Sequence, residues 1–196
     1  MRGNVDIQYS ILIVSSQEQY DSLVKRALKP GKFMTVDVQR RVSSARRMFL
    51  ERYYDIIVIF VPLPDETGLE FALDAAGQSS ASVLLAVPAE IMDDVSNHVS
   101  GQGILTVEKK GSSESIPNMI RYLSVVQAQF RGLKRKLEAA EEKNEEIRLI
   151  GKAKLLLAVN KNMTEDEAHR YIGKQAMDNG VSRGRIARKI LEEYYD

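Results

Sequence analysis

Apolar residues are spaced in three ways along this chain, and each spacing predicts a different kind of element. Within residues 10–112, short β-rich runs at 11–14, 35–38, 56–61, 83–87 and 104–107 alternate with amphipathic stretches at 18–28, 43–53, 69–76 and 90–99. Runs such as DIIVIFV and SVLLAV are continuously apolar, as expected of strands buried on both faces by helices. The pattern predicts five β-α units, an α/β doubly wound five-stranded parallel sheet whose last helix runs on into the next region.

From residue 116 to 159 the spacing changes. Met119, Leu123, Val126, Phe130, Leu133, Leu137, Ala140, Asn144 and Ile147 recur at alternating steps of four and three. That averages ~3.5 residues, the heptad of a coiled coil. The flanking Arg131, Lys134, Arg135, Lys136, Glu138, Glu141, Glu142, Lys143, Glu145 and Glu146 are charged, as on the solvated sides of such a helix. Asn144 is the polar exception in the seam; a lone Asn there costs stability and fixes register and a two-stranded state. A homodimer zipped through Leu123, Val126, Phe130, Leu133, Leu137, Ala140, Asn144 and Ile147 is expected.

After Ile147 the seam lapses, with Gly151 and Lys154 at the next seam positions, and a new apolar face forms from Ile150, Ala153, Leu156 and Leu157. Thr164 followed by Glu167 is a capping box, and Glu165, Asp166 and Glu167 suit the positive end of a helix. That helix runs to about Asp178 and stops at Asn179 and Gly180. Ser182 caps a last helix carrying Ile186, Ala187, Ile190 and Leu191. Three short helices, none able to bury its face alone, predict a compact bundle. The domains expected are thus 1–115, a dimerisation helix at 116–147, and 148–196.

Composition narrows the function classes. The 196 residues are 44% hydrophobic and 28% charged with net charge +1, which suits an ordinary folded protein. Cysteine is absent and histidines are two, His98 and His169, so disulfides, thiolate metal sites and imidazole clusters are not expected. No apolar run approaches the ~20 residues of a membrane span, and MRGNVDIQYS has no leader-type apolar core. A soluble, cytoplasmic protein is expected. No paired carboxylates, nucleophile triad, metal cluster or phosphate-cradling glycine loop is placed for catalysis, so neither an enzyme nor a cofactor is expected.

Overall balance conceals a local excess. Between Arg148 and Ile190 ten basic residues face four acidic ones, a net of +6. Arg183 and Arg185 occupy the first turn of the last helix, while Glu192 and Glu193 sit in its last turn. Each placement opposes the helix dipole at ~0.3–1 kcal/mol. A helix start with free N–H groups and added arginines is a phosphate site, which makes that cost useful.

Two resemblances add to these readings. SILIVSSQE, DIIVIFVPLPDETGLEFA, SVLLAVPAE and GILTVEKKG resemble segments of response-regulator receiver domains, over roughly residues 8–125. Receivers accept a phosphoryl group on an aspartate ending the third strand, beside a Mg²⁺-binding acidic pair, a hydroxyl residue and a lysine. Here the acidic pair is Ser15 and Ser16, the phosphoacceptor position is Phe60, and the hydroxyl position is Val87. A lysine alone remains, as Lys109 or the adjacent Lys110. These residues do not fit a Mg²⁺ ion or phosphoryl transfer, which need hard oxygen ligands and a nucleophile. Asp65 and Glu66 are read as solvated turn residues and Phe60 as a plug. The resemblance implies a pseudo-receiver that binds rather than reacts.

The second resemblance is stronger. RLIGKAKLLLAVNKNMTEDEAHRYIGKQAM…IARKIL resembles the ANTAR domain, a three-helix RNA-binding module of bacterial antiterminators. Ala153–Lys154, the EDEA run at 165–168, Ala176, and Ala187 with Ile190 match its recurring positions. Ala158, Val159, Gly180 and Gly184 depart from it. The resemblance implies a dimer that stabilises leader-transcript RNA hairpins against an overlapping terminator, governed by a sensor protein instead of phosphorylation. The RNA-binding candidates are Lys152, Lys154, His169, Arg170, Lys174, Arg183, Arg185 and Arg188. Tyr171 is assigned to the core, and His169 stands as a stacking candidate. A DNA-reading helix-turn-helix across DNGVSRG and a protein-only adaptor are the alternatives.

Overall fold

The computed structural model describes residues 8–28, 33–110 and 112–195. The opening residues 1–7, read above for a leader core, lie outside them. The chain divides between Arg131 and Gly132 into two compact units.

The first unit is a five-stranded parallel sheet in the order β2-β1-β3-β4-β5. Its strands are β1 (Tyr9–Val14), β2 (Phe33–Gln39), β3 (Ile56–Phe60), β4 (Ser82–Val87) and β5 (Ile104–Glu108). The helices are α1 (Glu18–Ala27), α2 (Val42–Glu51), α3 (Leu69–Gln78), α4 (Met92–His98, entered through a 3₁₀ turn at Ala89–Ile91) and the start of α5 (Ser112–Lys161). Alternation along each strand sorts side chains to opposite faces. Ile57 and Ile59 of β3 join Leu12, Leu85 and Phe71 in the core beneath α2, α3 and α4. Ile56, Val58 and Phe60 join Ile11, Leu84 and Val24 beneath α1 and α5. Every residue of β3 is buried, which accounts for its unbroken apolar sequence.

Three elements differ from their sequence expectation. Strand β2 is longer than 35–38, because pairing with β1 carries it to Gln39. Helix α2 starts at Val42 because the Asp65 carboxylate caps it, accepting from Val42 N at 3.0 Å and Ser43 N at 2.9 Å. Asp65 is therefore a cap and not a solvated turn residue. Helix α5 begins at Ser112, ahead of Pro117, whose missing N–H falls early enough to interrupt only one bond of the ladder.

The opening turns of α5 belong to this unit. Ile116, Ile120 and Leu123 are buried in the sheet core. Further on, the buried Gln127 donates from Nε2 to Ser80 O at 2.8 Å and to Ser82 Oγ at 3.0 Å. Arg131 donates to Gln8 O at 3.0 Å and pairs with the buried Asp55, which also accepts from Ser10 N at 2.7 Å. Leu123 thus corrects the expected seam. It is 3% exposed and packed in its own domain, so a partner helix has no access to it.

The second unit holds the rest of α5, then α6 (Glu165–Asp178) and α7 (Arg183–Tyr195). Ala153, Leu157, Ala168, Ile172, Ala176, Ile186, Ala187 and Ile190 form its core, with Leu149, Ile150, Met163, Tyr171 and Val181 packed around them. Four of those core residues are alanines, which lets the helices approach closely. The Thr164–Glu167 capping box is present: Glu167 N donates to Thr164 Oγ1 and Thr164 N to Glu167 Oε2 at 2.8 Å. Gly180 takes φ +62° where α6 ends.

Candidate nucleic-acid interface and the closed receiver pocket

At the carboxyl ends of the strands, where an open α/β sheet keeps its site, apolar and paired groups fill the space. Phe60 is 1% exposed and stacks on Tyr20 of α1, with ring centroids 4.6 Å apart. Lys109, not Lys110, turns inward. Its Nζ donates to Val61 O at 3.0 Å and lies 4.9 Å from the Tyr20 ring centroid, and burial lowers its pKa. Ser15 is buried, its hydroxyl bonded to the backbone of Gln17, while Ser16 is exposed. Val87 is fully buried.

One nearby acid, Asp21, escaped the sequence reading. It sits on α1, 5% exposed, and pairs with Arg40 at 2.6 Å, while Arg40 also donates to Ser15 O at 2.8 Å. Glu66 lies 3.6 Å from Arg46, which also pairs with Asp74. Among the described residues no group of three His, Cys, Asp or Glu side chains could hold a metal ion. Asp21, Glu66 and Asp74 thus each have a cationic partner within this domain.

The C-terminal unit is arranged differently. Lys152 on α5, His169, Arg170 and Lys174 on α6, and Arg183, Arg185 and Arg188 on α7 are all exposed. Lys154 departs from this pattern. It is half-buried and pairs with Glu165 at 2.7 Å, a bond that lowers the Glu165 pKa. Its first duty is to join α5 to α6. Arg183 lies back across α6, where a Cβ at Gly173 would come 3.7 Å from its guanidinium. His169 is one turn before Gly173, on the same side of α6.

The start of α7 corrects another expectation. Two of its first N–H groups are taken: Ser182 Oγ accepts from Arg185 N at 3.2 Å, and Glu146 Oε1 on α5 accepts from Gly184 N at 2.9 Å. Gly184 is buried, and a Cβ there would fall 2.9 Å from Glu146 Cγ. The anion that suits this helix start is the protein's own carboxylate. The arginines remain available, but the backbone phosphate site does not. Sequence spacing held no signal for the Glu146–Gly184 pair, because 38 residues separate the two.

Along α5 the seam residues that remain are uncovered in the single chain. Phe130 is 47%, Leu133 65%, Leu137 60% and Ile147 58% exposed, with Val126 at 37% and Ala140 and Asn144 also exposed. Tyr122, at 61%, continues this exposed stripe toward the start of the helix where Leu123 does not.

The fold and the basic bundle define a two-part chain, a receiver-fold domain followed by a small cationic helical module. Residues 138–191 match the family model of the ANTAR domain. The chain is 26% identical over 141 residues to the transcriptional regulatory protein PdtaR of Mycobacterium tuberculosis, covering 70% of this chain and 67% of that protein. In structure the N-terminal part resembles the signal receiver domain of an HD domain-containing protein from Pseudomonas fluorescens, with TM-score 0.55 and 19% identity over 64% of this chain and 93% of that one. It also resembles a CheY-like receiver domain protein from Methanospirillum hungatei, with TM-score 0.54 and 14% identity over 62% of this chain and 98% of that one. This chain therefore carries an ANTAR domain behind a domain of receiver fold, the makeup of an antiterminator-type regulator. Among the described residues no helix is long and apolar enough to cross a membrane.

Proposed function

We propose that this protein is an RNA-binding regulator of transcription antitermination that acts as a homodimer on hairpins of a leader transcript. It works in the cytoplasm, where nascent transcripts are. It is not an enzyme and takes no cofactor. The observation that carries the reading is the ANTAR match over a module whose cations, Lys154 apart, lie exposed. RNA binding of this kind rests on counterion release, so it weakens steeply with salt.

Residues 116–147 are the dimerisation segment in this proposal, through Val126, Phe130, Leu133, Leu137, Ala140, Asn144 and Ile147. Their exposure in one chain supports a second copy as their cover. Two linked modules engage two hairpins with an effective concentration that neither has alone. Control comes from a partner sensor protein rather than from phosphorylation, a reading supported by Phe60 and Tyr20 filling the former phosphoacceptor site.

The test is binding of a tandem-hairpin leader RNA, followed across salt concentrations. Tight binding by the wild type, with an Arg183→Ala/Arg185→Ala variant binding more weakly and with a shallower salt dependence, supports the reading. Preference for a duplex DNA of matched length favours a helix-turn-helix regulator instead. No nucleic-acid binding by a confirmed dimer, even with cell extract added, leaves a protein adaptor. Acetyl phosphate is expected to leave RNA affinity unchanged.

A further inference from the structure

The cations of the C-terminal unit are not spread evenly. Lys161 ends α5, Asn162 follows with φ +55°, and Met163 leads into the capping box. On α6, Glu167, Arg170, Tyr171 and Lys174 fall at i, i+3, i+4 and i+7, one side of the helix. Together Lys161, Asn162, Met163, Arg170, Tyr171 and Lys174 border an open hollow of about 440 Å³, with Glu167 at its edge. That is within the range of ligand-sized clefts.

Two features of the hollow point to a ligand. The Lys161 ammonium stands over the Tyr171 ring, 5.0 Å from its centroid, so the aromatic surface is reached from outside. Tyr171 is half-buried and braced against the bundle core, which makes its ring a fixed platform. In addition, among the described residues no carboxylate lies within ion-pair distance of Lys161, Arg170 or Lys174. Glu167, the acid at the edge, is engaged by Thr164 N and Oγ1 at 2.8 and 2.9 Å. Three unpaired cations around one braced aromatic ring offer more than a phosphate track, which needs no ring.

We propose that this hollow binds one unstacked nucleotide of an RNA loop. The base stacks on Tyr171, in the position over the ring that the Lys161 ammonium now holds. Asn162 hydrogen-bonds the base edge, and Lys161, Arg170 and Lys174 hold the flanking phosphates. Single-stranded RNA is read in this way, by splayed bases on aromatic rings within a cationic groove. The proposal rests on the RNA-binding reading and adds the place where an unpaired base is held. Tyr171 is then a contact residue and not solely a core residue.

The test uses the full-length protein and two RNAs, a leader hairpin with 2-aminopurine in its loop and the same stem closed as a blunt duplex. Wild type and Tyr171→Phe are expected to quench the 2-aminopurine. Tyr171→Leu, which keeps an apolar side chain but no ring, loses the quenching and binds the hairpin about fivefold or more weakly. Its affinity for the duplex stays as in wild type. A folded Tyr171→Leu that quenches and binds the hairpin like wild type overturns the proposal. Should Tyr171→Leu not fold, Lys161→Met at the exposed helix end decides. Selective loss for the hairpin supports the hollow, and equal loss for both RNAs overturns it, as does no loss. A wild type that binds neither RNA removes the RNA-binding reading itself, a result distinct from both.

Discussion

The two units treat charge in opposite ways. In the receiver-fold domain the charges near the carboxyl ends of the strands have internal partners: Asp21 with Arg40, Arg46 with Asp74 and Glu66, Asp65 on α2, Lys109 on Val61 O. In the C-terminal unit Lys152, Arg170, Lys174, Arg183, Arg185 and Arg188 are exposed with no carboxylate in ion-pair reach among the described residues. Cations paired with carboxylates, as Arg40 and Arg46 are, offer little to a polyanion. A unit that leaves its cations exposed retains nearly all of its electrostatic attraction, at the cost of self-repulsion.

The comparison can be broken most sharply at Phe60. Phe60→Ala is expected to cost about 3–5 kcal/mol of domain stability, read from urea unfolding, because it opens a cavity under Tyr20. Phe60→Asp should be at least as damaging and gain no phosphorylation, since Ser15 and Ser16 supply no Mg²⁺ ligands in place of acids. Close behind is Arg131→Ala, which strips the buried Asp55 of its cation and should cost about 3–5 kcal/mol. Were Arg131→Ala neutral, the clamp between α5 and the sheet would be ornamental.

Leu123 and Leu133 separate the domain core from the proposed dimer seam. Leu123→Ala is expected to lower unfolding stability by about 2–5 kcal/mol. Leu133→Asp should leave the domain's unfolding midpoint unchanged while converting dimer to monomer in sedimentation. Equal behaviour of the two would place both in one environment and remove the distinction.

Gly184→Ala should be milder, about 1–3 kcal/mol, as its methyl forces Glu146 off the start of α7. RNA affinity is expected to fall with it, because Arg183 and Arg185 ride on that turn. The smallest effect concerns Asp65. Backbone bonds from α2, Ser43 foremost, hold its pKa down at about 2, below the ~3.9 of an unfolded chain. A depressed carboxylate stabilises the fold above the unfolded value, and that contribution is lost as pH falls from about 4 through about 2. Urea midpoints of wild type and Asp65→Asn should therefore differ at pH 7 and converge near pH 2.

Much of this molecule was legible without coordinates wherever the signal was local. The unbroken apolar runs of β3 and β4 announced a sheet covered on both faces. The Thr164–Glu167 box and the Ser182 cap lie within three residues of their partners, so spacing alone predicted them. Phe60 as a plug was legible too, since a large apolar side chain ending a buried strand fills space, and it is 1% exposed. Local reading failed where a group's partner comes from elsewhere in the chain. Asp65 serves a helix that begins 23 residues earlier, and Lys154 is drawn to Glu165 across a turn. Tyr171 read as core because its spacing is that of a buried helix face, whereas its ring is also reached by Lys161.

Periodicity is written into the chain, because side-chain direction repeats with the backbone whatever surrounds it. By itself the sequence determined the succession of elements, the heptad repeat, the caps and the local excess of positive charge. Tertiary structure decided how those elements are used. Leu123 keeps the heptad spacing yet is buried by the sheet, while Tyr122 beside it stays exposed. The start of α7 has the dipole of any helix, yet Glu146 occupies it. In both cases the deciding contact comes from chain far away in sequence, and no local repeat encodes which surface a folded neighbour will cover.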